Sequence, residues 1–196
     1  IVGEGLNARA EITDFWAMVF NPSSVERLMH VWIGAFIAGA FLVLSVNAYY
    51  ILNNKFLSIA KPSFKIALAV AAFFSLAQLF AGHKSADGVA KNQPAKLAAL
   101  EGHYDSSAAA DMYLLGWVNN KEQKTSGIKI PGGLSFLIHQ NFKTPVAGLN
   151  ASKANERPTQ VNAIFQFYHI MVTIGMLMIG ITLYAVWQWK RGKLFD

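Results

Sequence analysis

Cysteine is absent from the 196 residues, which excludes disulfides, thiolate zinc sites, iron–sulfur clusters and covalently attached c-type haem. Any metal must then be held by histidine, methionine or carboxylate. Charge is scarce as well: 14% of the residues are Asp, Glu, Lys or Arg, against 54% apolar. That balance is a membrane protein's profile. The chain shows no internal repeat, low-complexity tract or secretory signal, and it opens on Ile1-Val2-Gly3 with no initiator methionine, as a processed or internal segment would. The formal charge of +6 does not point to nucleic acid. Basic residues gather at Lys55, Lys61 and Lys65 and again at Lys190, Arg191 and Lys193, where a positive-inside rule would hold the cytoplasmic ends of helices.

Three apolar runs approach or exceed the roughly 20 residues that a helix needs to cross a bilayer. The sequence therefore predicts an all-α integral membrane protein with three transmembrane helices and one long extramembrane, periplasmic loop. Residues 1–22 form an outer-side interfacial segment, with Ile12, Phe15, Trp16 and Val19 at helical spacing. The first transmembrane helix takes 23–53, opened by a capping box of Ser23 and Glu26. A cytoplasmic loop, 54–65, carries three lysines and no acid, a second transmembrane helix takes 66–82, and the periplasmic loop runs through 83–158. A third transmembrane helix at 159–189 and a cytoplasmic tail at 190–196 complete the chain. Within the long loop, Pro94 to Tyr104 reads as a short helix and Ile128 to Gly133 as an extended piece ending in a turn.

A few residues in these segments carry chemistry. His30 lies about two turns inside the first helix, with Gly34 one turn further and Ala38 after it. A histidine followed by small residues on one face is what a porphyrin lying against a helix requires. The other reading is a helix-packing face with His30 as a satisfied polar residue, although ionisable groups within a span are functional by default. On the third helix Met171 is followed by Gly175 and Met178; histidine and methionine are a recognised axial pair for low-spin haem, while methionine stripes also serve as packing. His169 precedes Met171 by two positions, about 200° around the helix, so the two cannot reach one iron from the same face. His169 points toward a haem propionate or toward water, or belongs to a second metal centre. In the loop helix Lys96 and Glu101 lie on neighbouring faces. They either hydrogen-bond and deprotonate a quinol, whose oxidation releases two protons, or belong to an ordinary solvated helix.

These residues fall in runs that match a known family. Asn21-Pro22, then Val25-Glu26-Arg27-Leu28-Met29-His30 and Ile37-Ala38-Gly39-Ala40-Phe41 resemble the fifth transmembrane helix of subunit I of cytochrome bd-type quinol oxidases. Gln93 to Glu101, with its Lys-Leu-Ala-Ala-Leu-Glu core, is similar to that family's quinol-binding loop, and Ile128-Lys129-Ile130-Pro131 with Thr144-Pro145-Val146-Ala147-Gly148-Leu149 to the loop's later part. Phe167-Tyr168-His169-Ile170-Met171-Val172 resembles the helix that follows.

The resemblance covers essentially the whole chain. It implies a low-spin haem b with His30 and Met171 as axial iron ligands and His169, Gly34 and Gly175 beside it. Lys96 and Glu101 would bind and oxidise ubiquinol or menaquinol, contributing to a proton-motive force in a prokaryotic cell membrane. The family's usual arginine two residues before the methionine is His169 here; arginine holds a propionate as a fixed charged fork, and histidine makes a weaker or pH-tuned contact. The helices that carry the oxygen-reducing site lie outside these residues. The chain is then expected to work with the remaining oxidase helices or a subunit II-like membrane partner, in contact with lipid and not with nucleic acid. Two other readings are a haem b membrane anchor exchanging electrons with a periplasmic redox partner, and a haem-free structural subunit.

Overall fold

From Ser24 to Leu52 the chain carries charge only at Glu26 and Arg27 and no glycine pair or proline, and it forms one continuous helix, α2. The structure, a computed structural model, describes residues 11–21 and 23–196. Ahead of α2, a short helix α1 spans Phe15–Val19, its first turn capped by Asp14, which accepts from Ala17 N at 3.0 Å. The start of the expected interfacial segment lies outside the described residues.

Helix α3 covers Leu57–Asn92, starting before the expected Ile66 and continuing past the expected end near residue 82. At about 1.5 Å per residue its 36 residues measure roughly 54 Å, well beyond the hydrocarbon thickness of about 30 Å. Its last turns therefore stand outside any bilayer that its apolar part crosses. Helix α4 is Pro94–Leu100, with proline in its first turn. Helix α5 is Gly133–His139 and α6 is Val161–Lys190. Helices α2, α3 and α6 are long and apolar enough to cross a membrane.

The all-α expectation needs correction. Strands β1 (Met112–Asn119) and β2 (Lys124–Ile130) form a two-stranded antiparallel sheet in the loop, pairing Gly116 with Gly127 and Asn119 with Lys124. The expected extended piece at Ile128 is the end of β2. Its partner strand escapes a search for alternation because a register irregularity falls between Tyr113 and Leu115 and puts Leu114 and Leu115 in succession.

The capping box at Ser23 and Glu26 does not form. Ser23 makes no side-chain cap; its N–H and hydroxyl instead both donate to Asn21 Oδ1 at 3.0 Å. Glu26 is used across the helix pair: a Cβ placed on Gly88 would lie 2.1 Å from Glu26 Oε2, so the glycine of α3 makes room for that carboxylate.

Helices α2 and α3 pack as an antiparallel pair through Ala40, Leu44, Ala67, Leu68 and Ala71. Asn47 Nδ2 donates to Ser63 Oγ at 3.0 Å across this interface, and Phe36 stacks on Phe74 at 4.6 Å between ring centroids. Helix α3 also packs on α6, whereas α2 and α6 share no substantial contact. A second core lies in the loop, where Ala98 and Ala99 of α4, Tyr104, Val118 of β1, Leu149, and Val161 and Phe165 of α6 converge. Phe165 is wholly buried there. This core presses the loop onto the first turns of α6.

Candidate functional site

Glu101 follows the last residue of α4 and inherits its direction from that helix, its N–H donating to Leu97 O at 3.0 Å. Leu97, Ala98 and Ala99 are buried against α6 and the loop core, and the same face carries the Glu101 side chain inward to 2% exposure. Gly102 makes the turn out of the helix at φ +60°, a conformation that costs glycine little. The Thr125 hydroxyl donates to the Gly102 carbonyl at 2.6 Å, which fixes β2 beside the end of α4.

Two α6 side chains meet the carboxyl. Tyr168 offers its hydroxyl to the carboxylate, and the His169 ring lies close enough to act on it through charge. The buried Oε2 has no hydrogen-bond partner. Burial dominates and pushes the Glu101 pKa above the ordinary carboxylate range, while His169 and the Tyr168 hydrogen bond oppose that shift. The arrangement is a protonatable carboxyl shielded from water, with one oxygen free of partners.

His169 joins the loop to α6. Its Nδ1 lies 2.8 Å from Phe165 O and its Nε2 2.8 Å from Tyr113 O, and its ring stacks on Phe165 at 3.8 Å. In this geometry both nitrogens are taken up by the backbone. Asn162 and Gln166, on the same side of α6, extend the seam: Val118 N donates to Asn162 Oδ1 at 3.0 Å, and Gln166 Nε2 donates to Gly116 O at 2.7 Å. Strand β1 thus runs along α6, bonded at Val118, Gly116 and Tyr113 in turn.

Lys96 stands apart from this cluster. It is exposed on α4, on the side away from the buried alanines, so the two loop residues expected to act together face different environments. His30 is half-buried in α2 and turns toward α3, where Gln78 Nε2 lies 3.2 Å from its Nε2 and 3.3 Å from its Nδ1. A Cβ on Gly34 would lie 3.9 Å from Gln78 Nε2, and one on Gly82 4.0 Å from His30 Cε1. Met171 is 55% exposed on α6, and the space beside Gly175 is open to 4 Å. No contact joins His30 to Met171. A group held by both would have to lie between α2 and α6, which do not pack on one another. Among the described residues no cluster of three or more His, Asp or Glu side chains offers an alternative metal site.

Sequence reasoning missed Tyr168 and Gln78. Tyr168 adjoins His169 and sits at the same end of α6, so its place in the run Phe167 to Val172 was a usable signal. Gln78 had a weaker one, a lone amide in an otherwise apolar stretch of α3.

Comparison with known proteins follows the same outline. The family of cytochrome bd terminal oxidase subunit I matches residues 2–195. The chain is 34% identical over 198 residues to the cytochrome bd ubiquinol oxidase subunit 1 of Bacillus subtilis, covering 96% of this chain and 42% of that protein. It is 35% identical over 191 residues to a putative cytochrome bd menaquinol oxidase subunit I of the same organism, covering 95% and 42%. In structure it is similar to the bd oxidase from Geobacillus thermodenitrificans, with a TM-score of 0.81 and 27% identity over 93% of this chain and 43% of that one. The chain therefore spans less than half the length of these relatives. With a family match from end to end, three membrane-length helices and a loop core seated on the third of them, this chain belongs to the cytochrome bd terminal oxidase subunit I family.

Proposed function

We propose that this chain is the quinol-oxidising, haem b-binding part of a cytochrome bd-type oxidase in a prokaryotic cell membrane, with the loop between α3 and α6 on the outer side. The observation that carries this reading is the Glu101 carboxyl, buried by α4 against Tyr168 and His169 of the helix that also bears Met171. A quinol becomes a quinone by giving up two electrons and two protons. A carboxylate with a raised pKa, held out of water near the outer end of α6, is a suitable base for those protons.

Tyr168 and His169 hold Glu101 and set its charge balance. Lys96, solvated on α4, supplies a cation and hydrogen-bond donor for a quinol oxygen. His30 and Met171 would hold the haem, and their donor set, one imidazole and one thioether in a chain without cysteine, fits a b-type group. Gly175 leaves the helix surface next to Met171 open, and Gly34 adds no side chain of its own beside His30. Bound there, a haem b supplies a one-electron acceptor. The names of the two Bacillus relatives divide between ubiquinol and menaquinol, so both are candidate donors. The rest of the oxidase would supply the oxygen-reducing site and cover the exposed apolar faces of α2 and α6.

The test is a reduced-minus-oxidised optical spectrum of the assembled oxidase, compared with His30→Ala and Met171→Ala. A low-spin b-type signal lost in both variants, and reduced by quinol in the parent protein, is the expected result. A b-type signal unchanged in both variants would overturn the ligand assignment.

A further inference from the structure

Two basic segments, far apart in the chain, meet where α3 begins and α6 ends. Lys55, Lys61 and Lys65 lie in 53–65, and Lys190, Arg191 and Lys193 in 187–196, where Asp196 is the one acid of either stretch. Aromatic rings bring them together. Lys61 Nζ lies 5.4 Å from the centroid of the Phe195 ring and Lys65 Nζ 5.7 Å from it, while Lys65 is also 5.7 Å from the ring of Trp189. Phe195 meets Phe64 of α3 edge-on at 5.8 Å, and Leu194 packs on the α2–α3 core. We infer that this corner binds the phosphate of an anionic phospholipid from the leaflet on its side of the membrane. The inference goes beyond the quinol-oxidising reading and does not depend on it.

The first support is an uncompensated convergence of charge. Lysines that only mark the side of a membrane need no more than solvent, but Lys61 and Lys65 are half-buried and both stand over one ring from another helix. Cation–π contact holds an ammonium without neutralising it. No carboxylate does so either: among the described residues the ion pairs lie elsewhere, between His83 and Asp87 and between Lys129 and Asp111. An anion seated between the two lysines would relieve their repulsion.

The second support is the start of α3. That helix has no side-chain cap and no acid in its first turn, and its first backbone hydrogen bonds run from Ile59 and Ala60 to Phe56 O. The N–H groups of Leu57 and Ser58 therefore stand ahead of the ladder, at the positive end of the helix dipole. Ser58, Lys61 and Lys65 follow at i, i+3 and i+7, on one face. Backbone N–H groups, a hydroxyl and ammonium groups are the donors that phosphate takes.

Depth selects a lipid over a soluble phosphate. Tyr49 near the end of α2, and Tyr184, Trp187 and Trp189 near the end of α6, are exposed, as aromatic side chains at headgroup level are. The cations thus stand at the height of lipid phosphates, and the exposed Ile181 and Leu183 of α6 offer apolar surface to acyl chains. Basic pockets between spanning helices are recognised seats for such headgroups.

The experiment labels the assembled oxidase with photoreactive phosphatidylglycerol and compares the parent with the double variant Lys61→Gln and Lys65→Gln. Glutamine keeps part of the apolar stem that packs on the rings and removes the charge. Label is expected on peptides covering 57–65 and 187–195, with unlabelled phosphatidylglycerol competing about tenfold or more better than phosphatidylcholine and excess inorganic phosphate competing weakly. In the double variant, half-maximal labelling of 187–195 should need about tenfold or more lipid, roughly fivefold for each lysine, while the haem spectrum stays that of the parent. Equal competition by the two lipids, or no label on either peptide of the parent, overturns the inference and leaves the corner to an acidic segment of the oxidase or to solvent. Displacement by inorganic phosphate as effective as by phosphatidylglycerol overturns the lipid as occupant, and labelling of the double variant within twofold of the parent overturns the role of the two lysines.

Discussion

His169 Nε2 lies 2.8 Å from Tyr113 O and its Nδ1 2.8 Å from Phe165 O, so its ring is where the hairpin meets α6, and it acts through charge on the Glu101 carboxyl. One histidine thus joins the strand to the helix bearing Met171 and bears electrostatically on the proposed base. Changes at any of these positions should be felt at the others.

Glu101→Gln removes the base and keeps the shape. Quinol turnover should fall about 10²-fold or more, the scale of a lost general base, with the haem spectrum retained. The pH dependence has a definite sign. Burial raises the folded pKa of Glu101 above that of the unfolded chain, so the folded state holds this proton more tightly. Its contribution to stability is complete below the ordinary carboxylate range and is lost as pH rises through the folded value. Thermal melts across that window should show the decline in the parent and its absence in the glutamine variant, while parent turnover rises over the same window as the base ionises.

Gly102→Ala tests how Glu101 is placed. A Cβ there would lie 2.6 Å from Thr125 Oγ1 and 2.9 Å from Val118 Cγ2, on a backbone at φ +60°. The left-handed conformation and the overpacking each cost on the order of 1–2 kcal/mol. Denaturant unfolding should show a loss of about 2 kcal/mol or more, with faster amide exchange through 94–104. A variant as stable as the parent would mean that this turn is looser than its contacts indicate.

Lys96→Ala is the contrasting case. The side chain is exposed and holds nothing in place, so stability should stay within about 0.5 kcal/mol of the parent. Any effect should appear as a higher quinol KM, read by steady-state kinetics at several salt concentrations.

The spans and the loop helix were legible because apolar runs and the proline at position 94 are local signals. Other features depend on distant partners. The polar stretch from His83 to Lys91 continues α3 beyond its apolar run, and there Gly88 receives Glu26 from α2. Strand β1 is secured by Asn162, Gln166 and His169, none of them near it in the chain. Lys96 and Glu101 were singled out by the resemblance of their run to the family's loop, residue type and spacing alone fitting an ordinary solvated helix as well. Their separation into an exposed and a buried group was not legible, since α6 is what buries Glu101.

His169→Ala tests the seam. It leaves the Tyr113 carbonyl without its α6 donor, a loss of about 1–3 kcal/mol if the group stays buried. Amide exchange should rise in β1 around Tyr113 and less around Val118, which keeps its bond to Asn162. His169→Arg offers a second comparison. Its fixed charge should keep Glu101 ionised to lower pH than in the parent, moving the acid limb of the turnover profile downward.

The last prediction concerns Gln78, whose amide is His30's hydrogen-bonding neighbour on α3 and whose own Oε1 is buried without a partner. A histidine that binds a metal through one nitrogen commonly donates its other N–H to a neighbouring acceptor, which fixes the ring. An amide turned so that Oε1 faces the ring would serve both groups at once. Gln78→Leu keeps comparable bulk and removes that acceptor, so haem should bind about 10–100-fold more weakly, seen as partial occupancy by titration of the apo-oxidase. His30→Ala should lose the b-type signal altogether. Full occupancy and an unchanged spectrum in Gln78→Leu would mean that the ring of His30 is oriented by the haem alone.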